Sequence, residues 1–170
     1  MPEIKECGWG KAVIRNFANK VREVSGFDPK ETVDFKDIVE IFGGTVSEDK
    51  DVFFGDTIDV RGKLDFTIKL HPLATTERQR FTLAHELGHY FLHSQQGSKP
   101  LKAFRLGTSM AEQEANYFAA ELLMPEEMFR ADFKTLSKDL NQEDKISKMA
   151  QMYHVSFTAA SVRISSLNLI

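Results

Sequence analysis

The sequence predicts an α+β fold: a small antiparallel sheet packed on helices, followed by a short helical C-terminal region. Apolar residues recur at helical spacing over several stretches, while in the segment 58–70 between them the period drops to two. With 42% hydrophobic and 28% charged residues in 170, the chain can bury one sizeable core and is not composed like a disordered segment. One main domain over residues 1–140 is expected, with residues 141–170 as an appendage packed on it.

From Lys11 to Val24, the residues Val13, Ile14, Phe17, Ala18, Val21 and Val24 follow a helical period, and Ser25-Gly26 supplies a stop. A shorter helix starts at an Asp34 cap, buries Phe35, Ile38, Val39 and Phe42, and ends at Gly43-Gly44. Ile58, Val60, Leu64, Phe66, Ile68 and Leu70 then alternate with polar residues around Arg61-Gly62-Lys63, the pattern of a hairpin. Val52-Phe53-Phe54 is a candidate third strand. Pro72 ends the hairpin, and Thr76 to His93 reads as one helix with Phe81, Ala84, Leu87, Gly88 and Leu92 on its buried side.

Ser94 to Ser109, polar and containing Gly97, Pro100 and Gly107, is expected as a surface connection. Met110 to Met124 is a helix with Ala115, Phe118, Ala119 and Leu122 on its apolar face, stopped by Pro125. The tail reads as two helices, Lys145 to Tyr153 and Phe157 to Leu167, with Ser156 as cap, in a helix-turn-helix arrangement.

Several function classes are disfavoured at this point. A net charge of -3 without a basic stripe argues against nucleic acid as the partner. Cys7 is the only cysteine, so no intramolecular disulfide forms, and the N-terminus lacks the apolar run of a signal peptide. A cytoplasmic setting is expected. No run of about 18 apolar residues is present, so no membrane span is expected.

Chemistry is concentrated in His85-Glu86-Leu87-Gly88-His89, an H-E-x-x-H sequence within a periodic apolar segment. On a helix, residues four apart share a face, so both imidazoles can reach one metal ion. Glu86, beside the first ligand, is then positioned as the general base toward a water whose pKa zinc lowers to about 7. A catalytic zinc usually has three protein ligands and one open position. His93 lies about 12 Å of helix rise from His85, too far for one ion to join all three rings, so it is expected to support the site or cap the helix, the alternative being a surface histidine. A carboxylate from the helix Met110–Met124 is the better third ligand, and Glu112, Glu114 and Glu121 all qualify, with Glu112 and Glu114 flanking the apolar face at similar angles.

Two blocks, Arg80-Phe81-Thr82-Leu83-Ala84-His85-Glu86-Leu87-Gly88-His89 and Glu114-Ala115-Asn116-Tyr117-Phe118-Ala119-Ala120-Glu121-Leu122-Leu123-Met124-Pro125, resemble the ImmA/IrrE-type family of metallo-endopeptidases, with weaker similarity over Tyr153-His154-Val155-Ser156. The resemblance implies a zincin-like peptidase core and a gluzincin-like site in which zinc is held by His85, His89 and Glu114, with Glu86 as general base. It also implies a bacterial or mobile-element anti-repressor whose protein substrate is a helix-turn-helix repressor.

The strand Asp65 to Leu70 is read either as core sheet or as an edge on which an extended peptide adds. His71, Arg78, Arg80 and Tyr117 are candidate oxyanion partners that the sequence does not separate. The competing reading is a non-catalytic, metal-containing regulator that binds a repressor or DNA through its C-terminal helices. Arg163 is the only cation in Phe157–Leu167, which argues against a recognition helix and makes direct DNA binding an unfavoured expectation. Metal-dependent chemistry on a small molecule is a third class.

Overall fold

The computed structural model describes residues 4–52, 57–103 and 108–170. Helix α1 (Lys11–Ser25) buries Ile14, Ala18 and Val21 and leaves Val13 and Val24 in solvent, so its contact stripe is narrower than the apolar pattern. Gly26 terminates it at φ 68°, the left-handed conformation glycine adopts without steric cost. In α2 (Phe35–Ile41), the Asp34 carboxylate accepts from the Lys36 N–H as the expected cap, and Phe35, Ile38 and Val39 face inward. The double glycine does more than stop this helix. A Cβ on Gly44 would collide with the Phe66 ring and Val39, so its absence lets the chain turn directly into a strand.

That strand makes the sheet mixed. β1 (Gly44–Glu48), β2 (Ile58–Gly62), β3 (Asp65–Leu70) and β4 (Leu101–Ala103) lie in the order β1-β3-β2-β4. The expected hairpin is β2–β3, antiparallel, with an irregularity between Val60 and Gly62 and Leu64 in the turn at φ 53°. β1 instead pairs with β3 in parallel, from Gly44 opposite Phe66 to Glu48 opposite Leu70. Gly-Thr-Val-Ser-Glu has a single large apolar residue and so carries no alternation signal. The reading of Asp65–Leu70 as an edge is corrected, because this strand is central, bonded to β1 on one side and β2 on the other. Phe66, Ile68 and Leu70 point from it into the core. Of the candidate strand Val52-Phe53-Phe54, Val52 is buried in a turn, and Phe53 and Phe54 lie outside the described residues.

The motif helix is in two parts. α3 (Thr76–Gly88), capped by the Thr75 hydroxyl on the Arg78 N–H, gives way to a π-helical turn, His89–His93, in which the Ser94 N–H donates to the His89 carbonyl five residues back. Every residue of this turn is buried. The connection that follows is not purely surface, since Ser94 is fully buried and β4 adds to β2.

Helix α4 (Met110–Leu123), capped by Ser109, packs against α1 on one side and α3 on the other. Beyond Pro125, α5 (Glu126–Thr135) seats Phe129 against Tyr153 with ring centroids 5.0 Å apart. It is short and presents only Phe129 as a fully buried anchor, so it gives little periodic signal. α6 (Gln142–Met152) begins three residues before the expected start because Asn141 caps the Asp144 N–H. α7 (Phe157–Ser166) is capped by Ser156 as read from the sequence. Ile146, Met149, Tyr153 and Ile164 from these last helices belong to the same apolar core as Leu83, Leu87, Phe118 and Leu122. Among the described residues, no helix is long and apolar enough to cross a membrane.

Candidate metal centre

The site is made where α3 crosses α4, and a glycine sets the spacing. A Cβ on Gly88 would lie 3.1 Å from Ala115 Cα and 3.2 Å from Phe118 Cδ1, so the two backbones approach closely at this point. That brings the long side chains flanking the α4 apolar face to the histidines of α3. Glu112 Oε2 lies 3.0 Å from His85 Nε2, and Glu112 Oε1 lies 2.9 Å from His89 Nε2. His85, His89 and Glu112 are all buried, at 2%, 1% and 7% exposure.

These separations are short enough for hydrogen bonds, but the geometry is not that of hydrogen bonds: among the described residues, both Nε2 atoms are without a hydrogen-bond partner. Both carboxylate oxygens of the fully buried Glu86, next to His85 in sequence, are likewise unpaired among the described residues. Buried polar atoms left this way are costly, by about 1–3 kcal/mol each. Two imidazole nitrogens and a carboxylate whose ligand atoms lie within 4.8 Å of one another fit a single divalent cation, which would satisfy all three. Burial alone would push the Glu112 carboxyl up, but contact with His85 and His89 outweighs it and holds it well below the usual carboxylate range. Glu112 is therefore an anionic donor at neutral pH.

Each histidine is oriented from behind. His85 Nδ1 is 2.8 Å from Asn116 Oδ1, so the ring carries its proton on Nδ1 and leaves Nε2 free. His89 Nδ1 is 2.9 Å from His93 Nδ1, and His93 Nε2 is 2.8 Å from Glu114 Oε2. Glu114 also accepts from the backbone N–H groups of Cys7, at 2.9 Å, and Gly8, at 3.1 Å. Burial raises the Glu114 carboxyl, but the His93 ring and these amides outweigh it and hold it below its ordinary value. Burial pushes the His93 imidazole down.

Glu112 and Glu114 thus flank the α4 apolar face on opposite sides. Glu112 meets the two motif histidines, whereas Glu114, expected from the resemblance as the third ligand, meets His93. Glu121 sits farther along α4, buried against Arg163. Of the oxyanion candidates, Arg80 donates to the carbonyls of Pro29 and Val33 and stacks over Phe27, and burial pushes it down to about 10. The Tyr117 hydroxyl accepts from Arg15. Both are occupied with holding α1 and its flanking loop. Sequence reasoning gave no role to Asn116, although its place four residues after Glu112 puts both on one helix face.

Residues 56–165 match the family model described as the IrrE N-terminal-like domain, Peptidase M78. Over 60 residues the chain is 35% identical to Metallopeptidase ImmA of Bacillus subtilis (strain 168), a match that covers 35% of this chain and 36% of that relative. The aligned part is thus about a third of the relative's length. With H-E-x-x-H at the crossing of two helices and nearly two thirds of its length matched by one family model, the chain belongs to the Peptidase M78 family of IrrE N-terminal-like domains.

Proposed function

We propose that this protein is a zinc-dependent endopeptidase of the cytoplasm, and that its substrate is a helix-turn-helix repressor whose cleavage relieves repression. One observation carries the catalytic reading: His85 Nε2, His89 Nε2 and the Glu112 carboxylate converge in a buried site with both nitrogens unsatisfied among the described residues, and Glu86, the next residue after His85, is buried with its carboxylate unpaired among them. His85, His89 and Glu112 would hold the ion, with Glu112 in the role the resemblance gave to Glu114. When bound, zinc supplies a Lewis acid that acidifies water to a pKa of about 7 and offsets negative charge on the scissile carbonyl oxygen. Glu86 takes the proton from the attacking water and returns it to the leaving amine nitrogen.

A peptide would be held in extended form along β4, one of the two outer strands of the sheet among the described residues, which lies in the chain between the π-helical turn and α4. Residues 1–140 are assigned to the peptidase core and residues 141–170 to a helical cap on it. The repressor assignment rests on the family resemblance.

The test is incubation of the purified, zinc-loaded protein with a helix-turn-helix repressor from the same locus and with an unfolded general protein substrate, followed by mass spectrometry. Cleavage of the repressor that stops with a chelator and is absent in Glu86→Gln, a variant that keeps its zinc, is expected. Cleavage of the general substrate alone would overturn the repressor assignment. No cleavage of either would overturn the peptidase reading.

A further inference from the structure

The π-helical turn places a third histidine behind the second. His93 and Glu114 are both buried, and the line Glu114–His93–His89 continues into the three-donor site. Resting on the site reading above, we propose that Glu114 and His93 form a proton-ordered relay that fixes which nitrogen His89 offers to a metal, and that this relay limits the chain to one bound ion although two three-residue clusters are present among the described residues.

Donors and acceptors along this line fix the order of the protons. A neutral imidazole has one N–H and one lone pair. The Nδ1 atoms of His89 and His93 face each other at 2.9 Å, so one must donate and the other accept. Glu114 decides which. Its carboxylate is held as an acceptor by the amides of Cys7 and Gly8, so His93 Nε2, at 2.8 Å, carries the proton and donates to it. His93 Nδ1 is then the lone-pair nitrogen, and His89 Nδ1 must donate to it. The lone pair of His89 therefore falls on Nε2, facing Glu112.

The opposite order would set the His93 Nε2 lone pair against a carboxylate oxygen and put a proton where a metal must bind. With an ion between His89 Nε2 and Glu112, the relay keeps the His89 proton on Nδ1 and its lone pair on the ion. Partners behind metal-bound histidines commonly contribute about 10–100-fold in affinity. Asn116 does the same for His85 with a single neutral amide.

A second consequence concerns Cys7, His93 and Glu114, whose ligand atoms also lie within 4.8 Å of one another. This group resembles a metal site in composition. The relay excludes that use, because His93 Nε2 bears a proton whenever His89 is a ligand, and the Glu114 oxygens already accept from three donors.

Two measurements on the full chain test this. Long-range imidazole ¹⁵N NMR of the wild-type zinc form should show the proton of His89 on Nδ1 and that of His93 on Nε2; the reverse assignment overturns the relay. Zinc titration of the metal-depleted protein against a chromophoric chelator should give one equivalent. Affinity should fall about 10–100-fold in His93→Phe and Glu114→Gln, recover in part in His93→Gln, which keeps an acceptor, and stay unchanged in Cys7→Ser.

A second equivalent that disappears in Cys7→Ser, or wild-type affinity in both His93→Phe and Glu114→Gln, overturns the relay. Glu112→Gln separates this from failure of the site reading. It should cost far more than either relay variant, and wild-type affinity in Glu112→Gln would sink the site itself.

Discussion

Arg163 Nη2 stands 2.8 Å from Glu121 Oε1, with the two side chains only 3% and 1% exposed. Arg163 Nε also donates to the Met124 carbonyl, so α7 is fastened to the C-terminal end of α4. The single cation of the helix that would have to read DNA is thus buried in the protein, which argues against a recognition role for α7. Breaking a buried pair strands a charge and costs about 3–5 kcal/mol. Glu121→Ala should reach that range by chemical denaturation. Arg163→Ala should cost less, because Arg15 Nε remains 3.5 Å from Glu121. The double variant should cost clearly less than the sum of the two, the sign of direct coupling.

Asn116 has one evident task, accepting the His85 Nδ1 proton. Asn116→Ala should lower zinc affinity by about 10–100-fold while leaving the thermal midpoint of the metal-free chain within a few degrees of wild type. Asn116→Asp retains an acceptor at the same distance and should restore most of the affinity. Equal loss in both variants would mean that packing, and not the hydrogen bond, matters at this position.

Much of this site was legible in the sequence because its parts obey short-range rules. His85 and His89 are one helical turn apart, and the periodicity of Ala84, Leu87 and Leu92 identified the helix that carries them. The rest depends on distances no local pattern encodes. Glu112 and Glu114 have the same residue type and similar angles to the apolar face, so only the approach of α3 to α4 assigns one to His85 and the other to His93. The π-helical turn shifts His93 relative to a regular helix, and the helix rise set His93 apart from His85 without revealing its contact with His89. In the sheet, the alternation of Ile58 to Leu70 announced the hairpin, whereas β1 was hidden because four of its five residues are glycine or polar.

Glu114 should also govern the acid limb of stability. Its carboxyl is held below its ordinary value in the folded chain, while the unfolded chain titrates near a pKa of about 4.3. The unfolded state therefore binds the proton first as pH falls. The stabilisation is fully present above that value and is lost as pH drops through the lower folded one. Denaturation midpoints of the metal-free protein between about pH 6 and pH 3 should fall steeply for wild type and more gently for Glu114→Gln. Identical slopes would show that the His93 and amide contacts do not hold the group ionised.

Gly88 tests whether helix spacing and ligand geometry are one property. In an isolated helix, Gly88→Ala would be favourable by about 1 kcal/mol. Here the new methyl would meet Ala115 Cα at 3.1 Å, the Ala115 carbonyl oxygen at 3.2 Å and the Phe118 ring at 3.2 Å. Two of those three atoms belong to backbone, which cannot rotate aside, so α4 itself must move. Overpacking of this kind costs about 1–3 kcal/mol and outweighs the gain in propensity. The same shift carries Glu112 away from His85 and His89. Gly88→Ala should therefore lose thermal stability and zinc affinity together, read by unfolding of the metal-free protein and by chelator competition. A variant with a raised midpoint and undiminished affinity would show that α4 yields without disturbing the ligands.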